Sequence, residues 1–329
     1  MTERMAPSGD GSAPAPAAEA SDLPPVTAAI AVDHVSRWYG NVVAVNDISF
    51  ALGPGVTGLL GPNGAGKSTL LHLLAGLLAP SAGTVRIHGR PTFGDTTVYR
   101  DVGLVPEREA VPAHLTGHAF VRLNAALQGV PDAGAAADRA IATVDLQDAA
   151  QRRIGTYSKG MRQRAKLAAA LVHDPGVLLL DEPFNGMDPR QRLHMMELLR
   201  TLAGEGRSIL FSSHILEEVE RLAEAVLVVY AGRLAAAGDF RSIRRLMTDR
   251  PNRFNVRSSD DRALAAALLD ERAVFGVELI GDLLAVRTSE FGAFSAIIAP
   301  TARRAGVRLY EVTPTDDSLE SVFSYLVGR

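Results

Sequence analysis

Apolar and polar residues alternate with two different periods along the chain. Short apolar runs at 42–50 and 56–60 predict strands, and a helical pattern follows them and stops at Pro80. Longer helical patterns cover 116–146 and 159–173, and a short, continuously apolar run at 177–180 predicts a buried strand. We therefore expect a parallel sheet whose sequence is interrupted by a helical subdomain.

The second half of the chain continues this alternation and then changes pattern. Helices are predicted at 189–203 and 215–223, with strands at 208–211 and 226–230, as in repeated βαβ units. A helical connector at 240–247 leads into the order βαββαβα, which is typical of a small ferredoxin-like domain. We expect a main α/β domain at 28–239, with its helical part at about 108–175, and an accessory α+β domain at 240–329.

Composition limits the classes of function. The 329 residues include 34 basic and 37 acidic side chains, so the net charge of −3 gives no electrostatic reason to expect a nucleic acid partner. The absence of cysteine excludes disulfides, thiolate zinc sites and thiol catalysis. Residues 1–27 are rich in alanine and proline and predict a disordered tail. The uncharged stretch 68–85 is interrupted by glycine, proline and serine and is too short in its apolar part for a membrane span, so we expect a soluble protein.

A glycine-rich loop carries the strongest chemical signal. "GLLGPNGAGKST" contains G-x-x-x-x-G-K-[ST] after an apolar strand and before a helix, where backbone N–H groups and the helix N-terminus bind phosphate. An ordinary glycine-rich turn is the alternative, and the motif alone does not choose among kinase, GTPase and ATPase. The candidate nucleotide-binding residues are Gly61, Pro62, Asn63, Gly64, Ala65, Gly66, Lys67, Ser68 and Thr69.

Acidic residues at the end of another strand favour hydrolysis. Asp181 can hold Mg²⁺ together with Ser68, and Glu182 is placed to orient an attacking water. His214 ends a further strand, where its imidazole can reach the γ-phosphate. Asp188 is a weaker candidate for nucleotide binding, because it precedes a proline at a helix start and is also a good helix cap. We expect Lys67, Glu182 and His214 to be catalytic.

Five motifs together resemble the nucleotide-binding subunits of ATP-binding cassette (ABC) transporters. They are "GPNGAGKST", "YSKGMRQR", "LLLDEP", "NGMD" and "SSH", in the family's order over residues 29–238. The resemblance implies a β-subdomain beside the parallel-sheet core, with ATP and Mg²⁺ as ligands. It also implies that Ser158 and Gly160 bind the γ-phosphate of ATP held by a second subunit, and that Tyr39 stacks on adenine. Capping of its own helix by Ser158 is compatible with this role, and Trp38 is a possible substitute for Tyr39.

Two positions depart from the family pattern. Lys159 occupies a signature position that is usually glycine, and Glu107 stands where the family has a glutamine. A carboxylate at Glu107 can still be a metal ligand, but it adds negative charge beside a triphosphate. Both departures resemble ATPases that serve ABC-2 type permeases.

The resemblance implies an ATPase subunit that dimerises head-to-tail around ATP and drives a separate ABC-2 type membrane permease, with export as the direction. Its partners would be that permease and a second copy of the chain or a paralogous subunit. Its location would be cytoplasmic, on the inner face of the membrane. A cassette ATPase that does not transport, and an ATP-switched regulatory module, stay open as alternatives.

Overall fold

The computed structural model describes residues 28–108, 111–239, 252–288 and 291–314. The predicted tail at 1–27, the connector at 240–247 and the last helix, at 316–326, lie outside the described residues.

An antiparallel sheet forms the first layer of the main domain. Its strands run in the order β2-β1-β4-β5. Apolar side chains of β1 and β2, among them Ile30 and Ile48, pack on the same core as the helix that follows the glycine-rich loop. The strands are β1 (Ile30–Tyr39), β2 (Val42–Leu52), β4 (Ala82–Ile87) and β5 (Arg90–Pro91). Only β2 was predicted from the pattern.

A six-stranded sheet with the order β10-β9-β3-β8-β7-β6 forms the centre of this domain. The pairs β3–β8, β3–β9, β6–β7 and β7–β8 are parallel, and β10 pairs with β9 antiparallel. Four predicted strands are confirmed, and two further strands at its ends were not predicted. The strands are β3 (Gly55–Leu60), β6 (Val102–Val105), β7 (Val177–Asp181), β8 (Ser208–Ser213), β9 (Ala225–Tyr230) and β10 (Arg233–Gly238).

Helices cover this sheet and form the helical subdomain. The predicted helical stretch 116–146 is two helices, each started by a side chain that caps a backbone N–H, Thr116 for α2 and Asp132 for α3. The helices are α1 (Lys67–Leu74), α2 (Gly117–Leu127), α3 (Ala133–Thr143), α4 (Lys159–Leu171), α5 (Pro189–Gly204) and α6 (Leu216–Leu222).

The helix α1 ends at Leu74, six residues before the predicted stop at Pro80. Gly76 adopts a left-handed φ of 69°, and the N–H of Leu77 bonds the carbonyl of His72 at 2.9 Å, as in a Schellman cap. A side chain at Gly76 would also overlap the carbonyl oxygen of Thr92. The glycine therefore ends the helix before the proline can.

The C-terminal part forms a second unit with its own core. Its four strands are antiparallel in the order β12-β13-β11-β14, which agrees with the predicted ferredoxin-like pattern. Phe254 packs on Phe294 with ring centroids 4.4 Å apart. The elements are β11 (Asn252–Ser258), α7 (Asp261–Leu269), β12 (Val274–Ile280), β13 (Leu283–Thr288), α8 (Phe291–Arg304) and β14 (Leu309–Pro314). In the described part of the chain, no helix has the length and apolar character that a membrane crossing requires.

Candidate functional site

The glycine-rich loop links β3 to α1 with backbone geometry that requires glycine. Gly64 and Gly66 have φ values of 79° and 105°, in the left-handed region. A Cβ at Gly66 would overlap the carbonyl oxygen of Ala44, and one at Gly61 would overlap that of Val229. The loop is therefore tightly packed from behind, while Asn63 and Gly64 stay exposed. Its N–H groups and the start of α1 form the anion cradle that the motif predicts.

Lys67 lies within this loop rather than in solvent. Its Nζ donates to the carbonyl oxygens of Gly61 at 2.7 Å and Pro62 at 3.2 Å. Burial holds the pKa of Lys67 below its ordinary value. The negative charges of Glu182, Asp181 and Glu107 raise this pKa, in decreasing order, but by less than burial lowers it. The ammonium group therefore has three of the four predicted acidic residues within electrostatic reach.

The register of the parallel sheet explains this convergence. Leu60 of β3 lies opposite Ser213 of β8, Asp181 of β7 lies opposite Ser212, and Val105 of β6 lies opposite Leu180. The carboxyl ends of these four strands thus lie at one edge of the sheet. Open α/β sheets bind their ligands at that edge.

Ser212 joins the two acidic residues of this edge. Its hydroxyl donates to Asp181 Oδ1 at 2.6 Å and accepts the N–H of Glu182 at 2.9 Å. Asp181, Glu182 and Ser212 are all buried. Glu182 has a left-handed φ of 49°, which is uncommon for a residue with a side chain and is typical of functional sites. Ser212 was not predicted as a site residue, although it is the first residue of the "SSH" motif.

Glu182 and His214 form a hydrogen-bonded pair. His214 Nδ1 lies 2.9 and 3.0 Å from the two carboxylate oxygens of Glu182. The imidazole is about half exposed, whereas the carboxylate is buried. The structure therefore places the predicted base beside the predicted γ-phosphate ligand, and one ring nitrogen of His214 is already engaged.

Three weaker candidates lie in different surroundings. Glu107 is exposed two residues after β6, and its charge reaches Lys67. Tyr39 ends β1 with 45% of its surface exposed, and the guanidinium of Arg37 lies 4.7 Å from its ring centroid. Asp188 caps α5 by accepting the N–H of Gln191 at 2.9 Å, which is the structural role that its sequence context also predicted.

Ser158 and Gly160 lie at the first turn of α4. The hydroxyl of Ser158 accepts the N–H of Met161 at 3.2 Å, so the predicted cap is present. Gly160 packs directly on the side chain of Gln191, where a Cβ would overlap its amide oxygen. Within the ranges that the structure describes, no hydrogen bond joins this turn to the glycine-rich loop of the same chain.

Two residues on α4 contact the site and were not predicted. Gln163 Nε2 lies 3.4 Å from the carbonyl oxygen of Glu182, and Lys166 donates to the loop that carries Glu107. Both side chains are buried, on a helix face that is otherwise rich in alanine and leucine. A polar residue on an apolar face is the signal that could have identified them.

Comparisons with known proteins decide the family. The model of the family described as ABC transporter matches residues 45–185. The chain is similar to a daunorubicin resistance ATP-binding protein of Streptomyces coeruleorubidus, with 34% identity over 307 residues that cover 91% of this chain and 96% of that protein. This chain belongs to the family of ABC transporter ATP-binding proteins. It is therefore an ATPase.

Other relatives of this ABC ATPase have names that refer to transport. It is similar to a Nod factor export ATP-binding protein of Rhizobium leguminosarum bv. viciae, with 34% identity over 92% of this chain and 95% of that protein. It is also similar to a bacitracin transport ATP-binding protein of Enterococcus faecalis, with 30% identity over 91% and 96% of the two chains.

A solved ATP-binding subunit of an ABC transporter shares the fold of this ABC ATPase, with a TM-score of 0.60 and 28% identity over 66% of this chain and 92% of the other. A dimeric ATP-binding cassette with ADP and Pi has a TM-score of 0.59 and 22% identity, over 64% and 98% of the two chains, and supports the fold alone.

Proposed function

We propose that this ABC ATPase is the ATP-binding subunit of an exporter and drives a separate ABC-2 type membrane permease. The observation that carries the proposal is the convergence of the glycine-rich loop, Asp181 and the Glu182–His214 pair at one edge of the sheet. The names of the relatives, which refer to drug resistance, Nod factor export and bacitracin transport, support a role in export. We further propose the division into a cassette at 28–239 and an accessory domain at 240–329.

The nucleotide would be bound as its Mg²⁺ complex. The loop amides and Lys67 would hold the phosphates, and Tyr39 would stack on adenine. The oxygen donors of Ser68 and Asp181 suit Mg²⁺, which keeps several waters and takes one or two protein carboxylates besides phosphate oxygens. This fits the described residues, among which no three acidic, histidine or cysteine side chains gather into a metal cluster. When bound, the ion would neutralise charge on the phosphates, and Glu107 would lie beside it.

Glu182 would orient the attacking water and accept its proton. Its carboxylate is buried, and His214 holds it through Nδ1, so the base has little freedom to turn away. The second ring nitrogen of His214 would then donate to the γ-phosphate. The pair would thus place the base and the phosphate in a fixed relation.

Ser158 and Gly160 would complete the site of another subunit. Ser158 and Lys159 are exposed at the start of α4, whereas Gly160 is buried against Gln191. The turn offers a hydroxyl and backbone N–H groups, which suit an anion. A head-to-tail dimer, formed with a second copy or a paralogue, would bring this turn to the γ-phosphate held by the opposing loop. The permease would hold the assembly on the cytoplasmic face of the membrane.

The Glu182→Gln variant tests the assembly and the base together. We expect it to bind ATP, to hydrolyse it about 10²- to 10⁴-fold more slowly, and to accumulate as an ATP-dependent dimer in analytical ultracentrifugation. Glu217→Gln is the matched control, because Glu217 is an exposed carboxylate on α6 that pairs with Arg221. A Glu182→Gln protein that hydrolyses ATP at the rate of the control would contradict the proposal.

The permease is tested by capturing the full-length chain from detergent-solubilised membranes of its native host. We expect one multispanning membrane protein to copurify in stoichiometric amount and to change the ATPase rate when reconstituted in vesicles. Capture of soluble proteins only, with no change of rate in vesicles, would instead favour the ATP-switched regulatory module.

A further inference from the structure

A buried lysine of α4 holds the loop that carries Glu107. Lys166 is 5% exposed, and its Nζ lies 2.7 Å from the carbonyl oxygen of Pro106, 3.4 Å from that of Glu107 and 3.5 Å from that of Arg108. An ammonium group that leaves water needs acceptors for its three hydrogens, and three successive carbonyls provide them. The lysine therefore fixes the backbone of Glu107 rather than its side chain.

The loop has little other support from the sheet. The strand β6 before it has four residues and lies at the end of the six-stranded sheet, so within the described residues it pairs with β7 alone. The side chain of Glu107 is exposed. A carboxylate on a loop of this kind can move over several ångströms unless the backbone is held.

The same helix also contacts the backbone around Glu182. Ser158 caps its start, and Gln163 approaches the carbonyl of Glu182 at 3.4 Å. The alkyl chain of Lys159 packs on Gly186, where a Cβ would lie 2.6 Å from Lys159 Cδ. Eight residues of helix separate Ser158 from Lys166, about 12 Å along the axis. The helix α4 thus joins the Ser158 turn, which would face the opposing nucleotide in the proposed dimer, to the loop of Glu107.

We propose that Lys166 is a positioning residue that sets the distance of Glu107 from the metal-nucleotide complex of its own chain. The proposal rests on the proposed function, because it requires Glu107 to act on bound Mg²⁺-ATP.

The first test needs neither nucleotide nor metal. We compare Lys166→Met and Lys166→Arg with Arg164→Met by hydrogen exchange of the backbone amides in 103–108. Arg164 is the matched control, since it lies on the same helix and also donates to two carbonyls, those of Val144 at 3.3 Å and Asp145 at 2.6 Å, away from this loop. Faster exchange in Lys166→Met alone supports the proposal, and exchange equal to that of Arg164→Met overturns it.

The second test uses Mg²⁺ titration of the binding of a fluorescent ATP analogue. We expect Lys166→Met to raise the half-saturating Mg²⁺ concentration about tenfold, as loss of an outer-shell partner does, with rescue by Lys166→Arg. Lys166→Gln keeps two hydrogen-bond donors, and it should also raise the half-saturating Mg²⁺ concentration. It takes the place of Lys166→Met if the methionine variant does not fold.

A double-variant comparison separates positioning from general damage. In a Glu107→Gln background, Lys166→Met should add little to the shift, because both changes act on one group. Fully additive shifts, or an unchanged Mg²⁺ dependence in Lys166→Met when the wild type binds ATP, would overturn only the role of Lys166. A wild type that binds no nucleotide would overturn the proposed function as well.

Discussion

Removal of the Ser212 hydroxyl tests whether one buried side chain organises the hydrolytic edge of the sheet. Ser212 is fully buried, bonds Asp181 and accepts the N–H of Glu182. In Ser212→Ala the N–H of Glu182 loses its partner, and its left-handed backbone, which costs about 1–3 kcal/mol, loses one of its restraints. We expect Glu182 to relax and its carboxylate to move away from His214.

The magnitude follows from the two bonds. A hydrogen bond to a charged group contributes about 1.5–3 kcal/mol, and a buried N–H left unsatisfied costs about 1–3 kcal/mol. Because the two losses share one hydroxyl and can partly relax, we expect the free energy of unfolding to fall by about 2–4 kcal/mol. If about 2 kcal/mol of this is lost in the transition state, kcat falls about 30-fold.

Ser208→Ala is the matched control for this experiment. Ser208 lies on the same strand, is equally buried, and donates to the carbonyl of Gly53 at 2.7 Å at the opposite end of β8. It should lose about 1 kcal/mol of stability in urea unfolding and keep its kcat. Steady-state phosphate release gives kcat and KM for both variants. A Ser212→Ala protein whose kcat matches that of Ser208→Ala would refute the organising role of Ser212.

Three further outcomes are expected. Ser158→Ala should lose about 1 kcal/mol of stability in urea unfolding, as expected for a lost helix cap. In the Glu182→Gln background, the same substitution should abolish the ATP-dependent dimer in ultracentrifugation. Tyr39→Leu should weaken ATP binding in calorimetry by about 1–3 kcal/mol, and an unchanged affinity would remove Tyr39 from the adenine site. Burial raises the pKa of Glu218 above its ordinary 4.5, more than Ser213 and Arg192 lower it. The folded state thus binds this proton more tightly than the unfolded state does, and it loses stability as pH rises from 4.5 through the raised pKa. Over that range the Tm of the wild type should fall relative to the Tm of Glu218→Gln. A difference in Tm that does not change with pH would contradict the raised pKa.

The site residues at the sheet edge could be predicted from sequence because they lie in short motifs beside apolar strand patterns. The glycine-rich loop and Asp181 directly follow apolar runs, and Glu182 and His214 lie within three residues of one, so their meeting at one edge needs only parallel pairing. Ser212 and Lys166 were not found, because their partners are 31 and 60 residues away and only tertiary structure defines them.

The fold was predictable to a similar degree. Long helices and continuously apolar strands were found, whereas β1, β4, β5, β6 and β10 were missed. The strand β1 alternates irregularly, with register shifts against β2 and a positive φ at His34, and β6 has only four residues. Periodicity carries little information over so short or so uneven a segment.

In the proposed head-to-tail dimer of two copies, each ATP site is shared between the glycine-rich loop of one chain and the Ser158 turn of the other. This sharing is tested most directly by mixing Lys67→Ala with Ser158→Ala, since each variant alone spoils both sites of its homodimer. In a mixed dimer of two independent sites, one site combines an intact Lys67 with an intact Ser158, so a random one-to-one mixture should recover about a quarter of wild-type hydrolysis. A mixture that stays as inactive as its two components would contradict the claim.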